Sequence, residues 1–183
     1  MEITTDISLS GTAWNTAIEQ LGNIFKTRTN YMIYMLALSI GIMYDKREDK
    51  LPIKEGEDKK SVPRNVIHNN DQGKLDTMFQ AAILSTTTDA FSEEERLDLA
   101  FSEKSDEKLG FKKIDFLTQF ANFGVLKIVE LIGDTTLESM ENIKNFLVST
   151  VEGRNFEIDA LPDDILIDCL LYTSDAADDS LRV

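Results

Sequence analysis

Residues Tyr31 to Tyr44 (YMIYMLALSIGIMY) are fourteen consecutive positions without a charge, and apart from the tyrosines Ser39 is their only hydroxyl-bearing residue. A helix that is apolar all round must be buried in protein or in lipid. A membrane span needs about 20 apolar residues. This run is shorter, with Lys26 and Arg28 before it and Asp45-Lys46-Arg47-Glu48-Asp49-Lys50 after it. The next most apolar stretch, Phe116 to Ile132, is interrupted by Thr118, Gln119, Asn122, Lys127 and Glu130. Met1 to Asp6 show neither a basic leader nor an apolar signal core. The expectation is a buried core helix in a soluble, cytoplasmic protein with no membrane contact.

Other segments supply the helices that would cover it. Trp14, Ala17, Ile18, Leu21 and Phe25 recur at helical spacing, with Thr12 as a cap and Gly22-Asn23 weakening the end. Thr27 or Thr29 can cap the apolar helix. Asp45 to Asn70 reads as a long charged loop with two prolines and a short extended piece at Val62 to Ile67. Leu75, Met78, Phe79, Ala82 and Ile83 mark a helix from about Asp71 to Ser85, opened by Asn69-Asn70-Asp71 and ended by Thr86-Thr87-Thr88. Ser92 and Glu95 have capping-box spacing ahead of a short helix to about Phe101, with Leu97, Ala100 and Phe101 inward. Ser102 to Gly110 is a polar break. Phe111 to Ile132 reads as a long helix in which Asn122 and Gly124 mark a kink or a close helix contact. Asp134 caps a last helix that carries Leu137, Met140, Ile143, Phe146 and Leu147, and Gly153 closes it. Glu2 to Ser8 alternates weakly, as a short strand or an extended arm. The fold class is mainly α: about five to six helices around a buried central one, forming a single domain over residues 1–168.

The C-terminal stretch Cys169-Leu170-Leu171-Tyr172-Thr173-Ser174-Asp175-Ala176-Ala177-Asp178 matches a translated transposase sequencing adapter, TGT CTC TTA TAC ACA TCT GAC GCT GCC GAC. Residues 169–183 are therefore expected to be non-native, with the gene continuing beyond Asp168, and Phe156 to Asp168 to depend on the missing part. Short-read sequencing of a microbial source fits this tail. Cys169 is the only cysteine. The remaining segment holds no thiol for a disulfide, a zinc-cysteine site or a nucleophile, which is compatible with a reducing cytoplasm.

The net charge of −14 is uneven. Residues 1–50 hold six acids and five bases, residues 51–69 three acids and four bases, and residues 70–168 twenty-one acids and nine bases. An acidic second half repels phosphate backbones. Any contact with DNA or a partner is expected at Lys26, Arg28, Lys46, Arg47, Lys50, Lys59, Lys60 and Arg64, although interleaved acids nearly cancel them. Lys54 belongs to the same cationic cluster.

No catalytic residue, cofactor site or metal site is read from the sequence. His68 is the single histidine, and a triad or metal site needs converging partners; beside Asn69 and Asn70 it reads as a surface or capping residue. Asp49 with Glu57-Asp58-Lys59 has the spacing of a restriction-type Asp…Glu-x-Lys nuclease, in which carboxylates hold magnesium. Such sites sit on paired strands, whereas these residues fall in a glycine-containing loop.

Several pieces in order resemble a family of small bacterial proteins that accompany the Dnd systems, which replace a DNA phosphate oxygen with sulfur. They are Ile24-Phe25-Lys26-Thr27, an apolar helix, Gly41, Lys46-Arg47, a proline-containing loop, Asn70-Asp71 opening a helix, an acidic stretch, and Phe120-Ala121-Asn122-Phe123-Gly124-Val125-Leu126. The last is similar to a Tyr-Ala-Asn-Gly-Gly-Leu pattern, with Phe120 in place of tyrosine and Phe123 in place of glycine. The Lys50 to Pro63 loop carries extra residues. The resemblance spans Ile24 to Leu131 and implies a non-enzymatic accessory of DNA phosphorothioation, restriction or phage defence that contacts other protein subunits; it supplies no catalytic residues. A strand followed by two helices also permits a ribbon-helix-helix DNA-binding module, but Glu2 to Ser8 holds two acids and no base.

Overall fold

The chain is mainly helical. A computed structural model describes residues 3–26, 28–87, 91–102 and 112–153. The expected contributions of Glu2, Thr27, Thr88, residues 103–111, residues 154–168 and the adapter-like tail lie outside the described residues. The elements in chain order are β1 (Ile7–Leu9), α1 (Thr12–Leu21), α2 (Thr29–Tyr44), β2 (Lys60–Val62), α3 (Arg64–Asn70), α4 (Lys74–Ser85), α5 (Glu93–Phe101), α6 (Lys113–Leu131) and α7 (Thr136–Gly153). Seven helices thus occur among the described residues, one or two more than the sequence pattern suggests.

The apolar run forms α2, and its main partner is α6, with α1, β2 and α4 completing its surroundings. Tyr31, Ile33, Tyr34, Ala37, Leu38, Ile40 and Gly41 are buried. Burying an aliphatic side chain fully stabilises by roughly 1.5–3 kcal/mol, so Ile33, Leu38 and Ile40 alone anchor the helix strongly. The cover is not complete, because Met32 and Tyr44 are each 42 % exposed at the two ends.

Two glycines set the distance between α2 and α6. A Cβ on Gly41 would run into the Phe120 backbone, within 2.9 Å of its Cα. A Cβ on Gly124 would meet the Ala37 backbone in the same way. Ala37 and Gly41 on one helix face Gly124 and Phe120 on the other, so the helices run antiparallel and each notches into its neighbour. The expected mid-helix feature at Asn122 and Gly124 is this close contact. Backbones this near also allow weak Cα–H···O contacts.

Asn122 does a second job beside the notch. Its Oδ1 accepts from the Trp14 indole at 2.9 Å and its Nδ2 donates to the Glu48 carbonyl at 3.0 Å. The Glu48 amide in turn donates to the Gln119 carbonyl. One buried amide therefore joins α1, the segment after α2, and α6. Trp14 also stacks on Tyr34, with ring centroids 6.2 Å apart. Buried polar groups are costly unless bonded, and here each is bonded.

Between Asp45 and Asn70 the sequence reading needs correction. The expected extended piece at Val62 to Ile67 is displaced: the strand is Lys60–Val62, paired antiparallel with β1 as Ile7↔Val62, Ser8↔Ser61 and Leu9↔Lys60. Pro63 then has no amide to extend the ladder, sits just before the helix, and α3 follows. Because β1 pairs with a strand of its own chain, one edge is already filled where a ribbon-helix-helix reading would place a second protomer.

Several helix ends also differ from the sequence reading. Gly11, at φ 132°, is the N-cap of α1, rather than Thr12; a side chain there would meet Leu51. Thr29 begins α2, and its hydroxyl donates to the Phe25 carbonyl instead of capping. The α4 helix starts at Lys74, although the Asp71 carboxylate still accepts from the Gly73 and Leu75 amides at 3.1 and 3.0 Å. Thr135, not Asp134, caps α7, its hydroxyl accepting from the Glu138 amide at 3.1 Å. The Ser92–Glu95 capping box is present as read, and Thr86 ends α4. On α5, Ala100 is buried as expected, together with Leu99, whereas Leu97 and Phe101 are exposed. The helix phase is therefore shifted from the expected one.

Residues 1–144 form one unit, and residues from Asn145 onward belong to a second. Of the second, only the continuation of α7 to Gly153 lies among the described residues. Among the described residues no helix is long and apolar enough to cross a membrane.

Candidate functional site

The eight cations singled out from the sequence do not gather in one place. Arg47 and Lys46, just past the end of α2, lie over the rings of α6. The Arg47 guanidinium is 5.0 Å from the Phe116 centroid and 5.5 Å from that of Phe120, and the Lys46 ammonium 5.7 Å from that of Phe123. Phe116, Phe120 and Phe123 recur at helical spacing, so α6 presents a ring face to this segment. Phe116 meets Phe120 and Phe79 edge-on at 5.2 and 5.8 Å. A guanidinium on aromatic faces is held by the ring quadrupoles and by its own apolar stem. The Arg47 charge therefore serves packing at this position. The spacing of those phenylalanines is the signal from which this role could have been read.

Arg64 serves the N-terminal arm. Its amide donates to the Asp6 carboxylate at 2.9 Å and its Nη1 to the Thr4 carbonyl at 3.3 Å. It also lines a cavity of about 250 Å³ with Ile3, Ile67, His68, Asp71, Gln72 and Gly73. His68 is exposed in the last turn of α3. Asp71 there already accepts from the Tyr31 hydroxyl at 3.2 Å. Burial, then the Asp71 charge and its hydrogen bond, push Tyr31 up to about 12. Arg28 is exposed at the left-handed residue that precedes α2, Lys26 is exposed two residues before it, and Lys60 is half-buried in β2 opposite Leu9.

Lys50 and Lys59 do come together. They line a cavity of about 360 Å³ with Ser8, Ser10, Asp49, Leu51, Ile53, Thr118 and Asn122. Strand alternation explains the serines. Ile7 and Leu9 face the core, so Ser8 and Ser10 face the other way; their hydroxyls are 3.4 Å apart. On α6, Thr118 donates to the Ile114 carbonyl at 2.7 Å and lies 3.2 Å from the Tyr34 hydroxyl, which pairs the wall with α2. Burial pushes the Tyr34 hydroxyl well above its ordinary range.

The nuclease-like residues separate. Asp49 and Lys59 line this cavity. Glu57 instead accepts from the Thr12 hydroxyl at 2.8 Å and the Lys54 amide at 3.0 Å. The Thr12 hydrogen bond, followed by the Lys54 amide and charge, holds Glu57 below the usual glutamate range. Glu57 thus supports the start of α1. Among the described residues, no three His, Cys, Asp or Glu side chains are grouped to hold a metal ion. Sequence reasoning missed Ser8, Ser10, Leu51 and Ile53 as companions of the two lysines, because the pairing that assembles them joins segments some fifty residues apart.

No protein-family model, curated protein or solved structure matches this chain.

Proposed function

We propose that this chain is a non-enzymatic accessory protein that acts by contacting other protein subunits, in a bacterial DNA-modification or phage-defence system of the phosphorothioation type. The observation that carries the protein-contact part is a set of large apolar side chains left outside the core on helix faces. Leu137 is 74 % exposed and Met140, three residues on, 48 %. Phe101 is 66 % exposed and Leu97, four residues before it, 48 %. Spacings of three and four put each pair on one face. Single exposed apolar residues are common, whereas paired ones on amphipathic helices are the usual raw material of interfaces. The system itself is supported by the ordered resemblance from Ile24 to Leu131. Within that span, Gly41 and Gly124 form the α2–α6 notch and Asn122 ties α6 to Trp14 and Glu48.

Direct DNA contact has less support. Arg47 lies on phenylalanine rings, Arg64 is engaged by the N-terminal arm, and the acidic second half repels phosphate. Co-expression of the full chain with the phosphorothioation proteins tests the reading. It predicts co-purification, and loss of it in Leu137→Glu/Met140→Glu or Leu97→Glu/Phe101→Glu. A chain that purifies alone, or both variants retaining the complex, contradicts it.

A further inference from the structure

The cavity beside β1 has a composition that the protein-contact reading does not use. Lys50 and Lys59 form no ion pair with a described residue. Lys50, Lys59, Ser8 and Ser10 all line one concave space. Lysine binds phosphate as a point charge with up to three donors, and hydroxyls donate readily to oxyanions. Two ammonium charges match the charge of about −1.5 to −2 that a phosphate monoester carries at neutral pH, and the remaining donors suit its terminal oxygens. Asp49 adds an acceptor, and Leu51 and Ile53 add apolar surface. A volume of about 360 Å³ holds a small molecule, since ligand pockets start at roughly 300 Å³. The acidity of residues 70–168 disfavours a long polyanion, whereas a single phosphate meets only the local field.

We propose that this cavity binds a small phosphorylated molecule, with Lys50, Lys59 and the Ser8 and Ser10 hydroxyls around the phosphate and Asp49 accepting from a ligand hydroxyl or amine. The cavity places the apolar part of the ligand against Leu51 and Ile53. The site stands independently of any protein partner.

Calorimetric titration of the full chain with ribose 5-phosphate tests this, with inorganic phosphate and ribose as separate arms. The expected result is saturation by ribose 5-phosphate, weaker binding of inorganic phosphate and none of ribose. Lys50→Gln and Lys59→Gln should each weaken ribose 5-phosphate roughly tenfold or more, as loss of a charge-assisted hydrogen bond does. Asp49→Asn should weaken ribose 5-phosphate more than inorganic phosphate, and Lys46→Gln, on the ring face of α6, should change neither. Ser8→Ala/Ser10→Ala gives a second, uncharged route to the same loss, and melting curves check that each variant is folded. No saturation by either phosphate, or equal weakening by Lys46→Gln, overturns the proposal. A short DNA duplex that binds more tightly than ribose 5-phosphate through the same two lysines also overturns it, in favour of a polynucleotide.

Discussion

Gly41→Ala and Gly124→Ala probe the contact on which the fold depends. In a solvated helix either change would stabilise by roughly 1 kcal/mol, because alanine is the better helix former. Here the added methyl meets backbone. At Gly41 it would lie within 2.9 Å of the Phe120 Cα, with the carbonyl carbon and oxygen closer still, whereas carbon atoms pack best at about 3.5–4.0 Å. Backbone cannot rotate away as a side chain can, so α2 and α6 must separate and loosen the packing around Leu38 and Phe120. Overpacking typically costs about 1–3 kcal/mol, and the rigidity of the obstacle argues for the upper end. The net loss is then about 2 kcal/mol per variant, or roughly 4–8 °C in Tm for a chain of this size. Urea unfolding read through Trp14 gives the value, with the slope checked for constancy. The two notches share one contact, so a separation that admits the first methyl also makes room for the second. The double variant should therefore cost less than the sum of the singles, by about 1 kcal/mol. Neutral or stabilised single variants, or strict additivity, would refute the reasoning.

Asn122→Ala leaves the Trp14 indole and the Glu48 carbonyl without their partner and should lower stability by about 2–4 kcal/mol, with a changed Trp14 emission in the native state. Arg47→Met keeps the apolar stem and removes the charge over Phe116 and Phe120; denaturant unfolding should show a loss of about 1 kcal/mol. Glu57 and Glu95 have folded pKa values below the ordinary range, from the Thr12 hydroxyl and the Ser92 amide respectively. Their contribution is full above that range and lost as pH falls through the lowered values, so Glu57→Gln/Glu95→Gln should flatten the pH dependence of Tm below about pH 4.5. Tyr31 has the opposite sign. Its raised value stabilises fully below about pH 10 and is lost as pH rises toward 12, and Tyr31→Phe should reduce the alkaline sensitivity of Tm.

The sequence was most informative where one physical rule dominates. The uncharged run had to be a buried helix, and the 3.6-residue spacing of Leu75, Phe79, Ala82 and Ile83 placed α4 with its buried face. Ser92 and Glu95 announced a local motif that closes within four residues. Legibility fell where the decisive partner is distant. Gly11 starts α1 because Leu51 crowds it, Thr29 bonds backward to Phe25, and Lys60–Val62 becomes a strand only because Ile7–Leu9 lies alongside. On α5, Ala100 is buried as read, but Leu99 takes the inward place expected of Leu97 and Phe101, because Phe101, an aromatic residue, looked like core. The candidate cavity was hardest to see. Lys50 and Lys59 were singled out for charge, but Ser8 and Ser10 gain meaning only after the β1–β2 register is known.

Amide hydrogen exchange over α2 and α6 in plain buffer tests most directly that the apolar run is a core helix held by the notched contact. The prediction is that the amides of Ile33 to Gly41 and Phe116 to Val125 exchange together, only through global unfolding, with no lipid or detergent present. Protection of α2 that appears only on adding lipid vesicles, or α2 amides that open independently of α6, would contradict it.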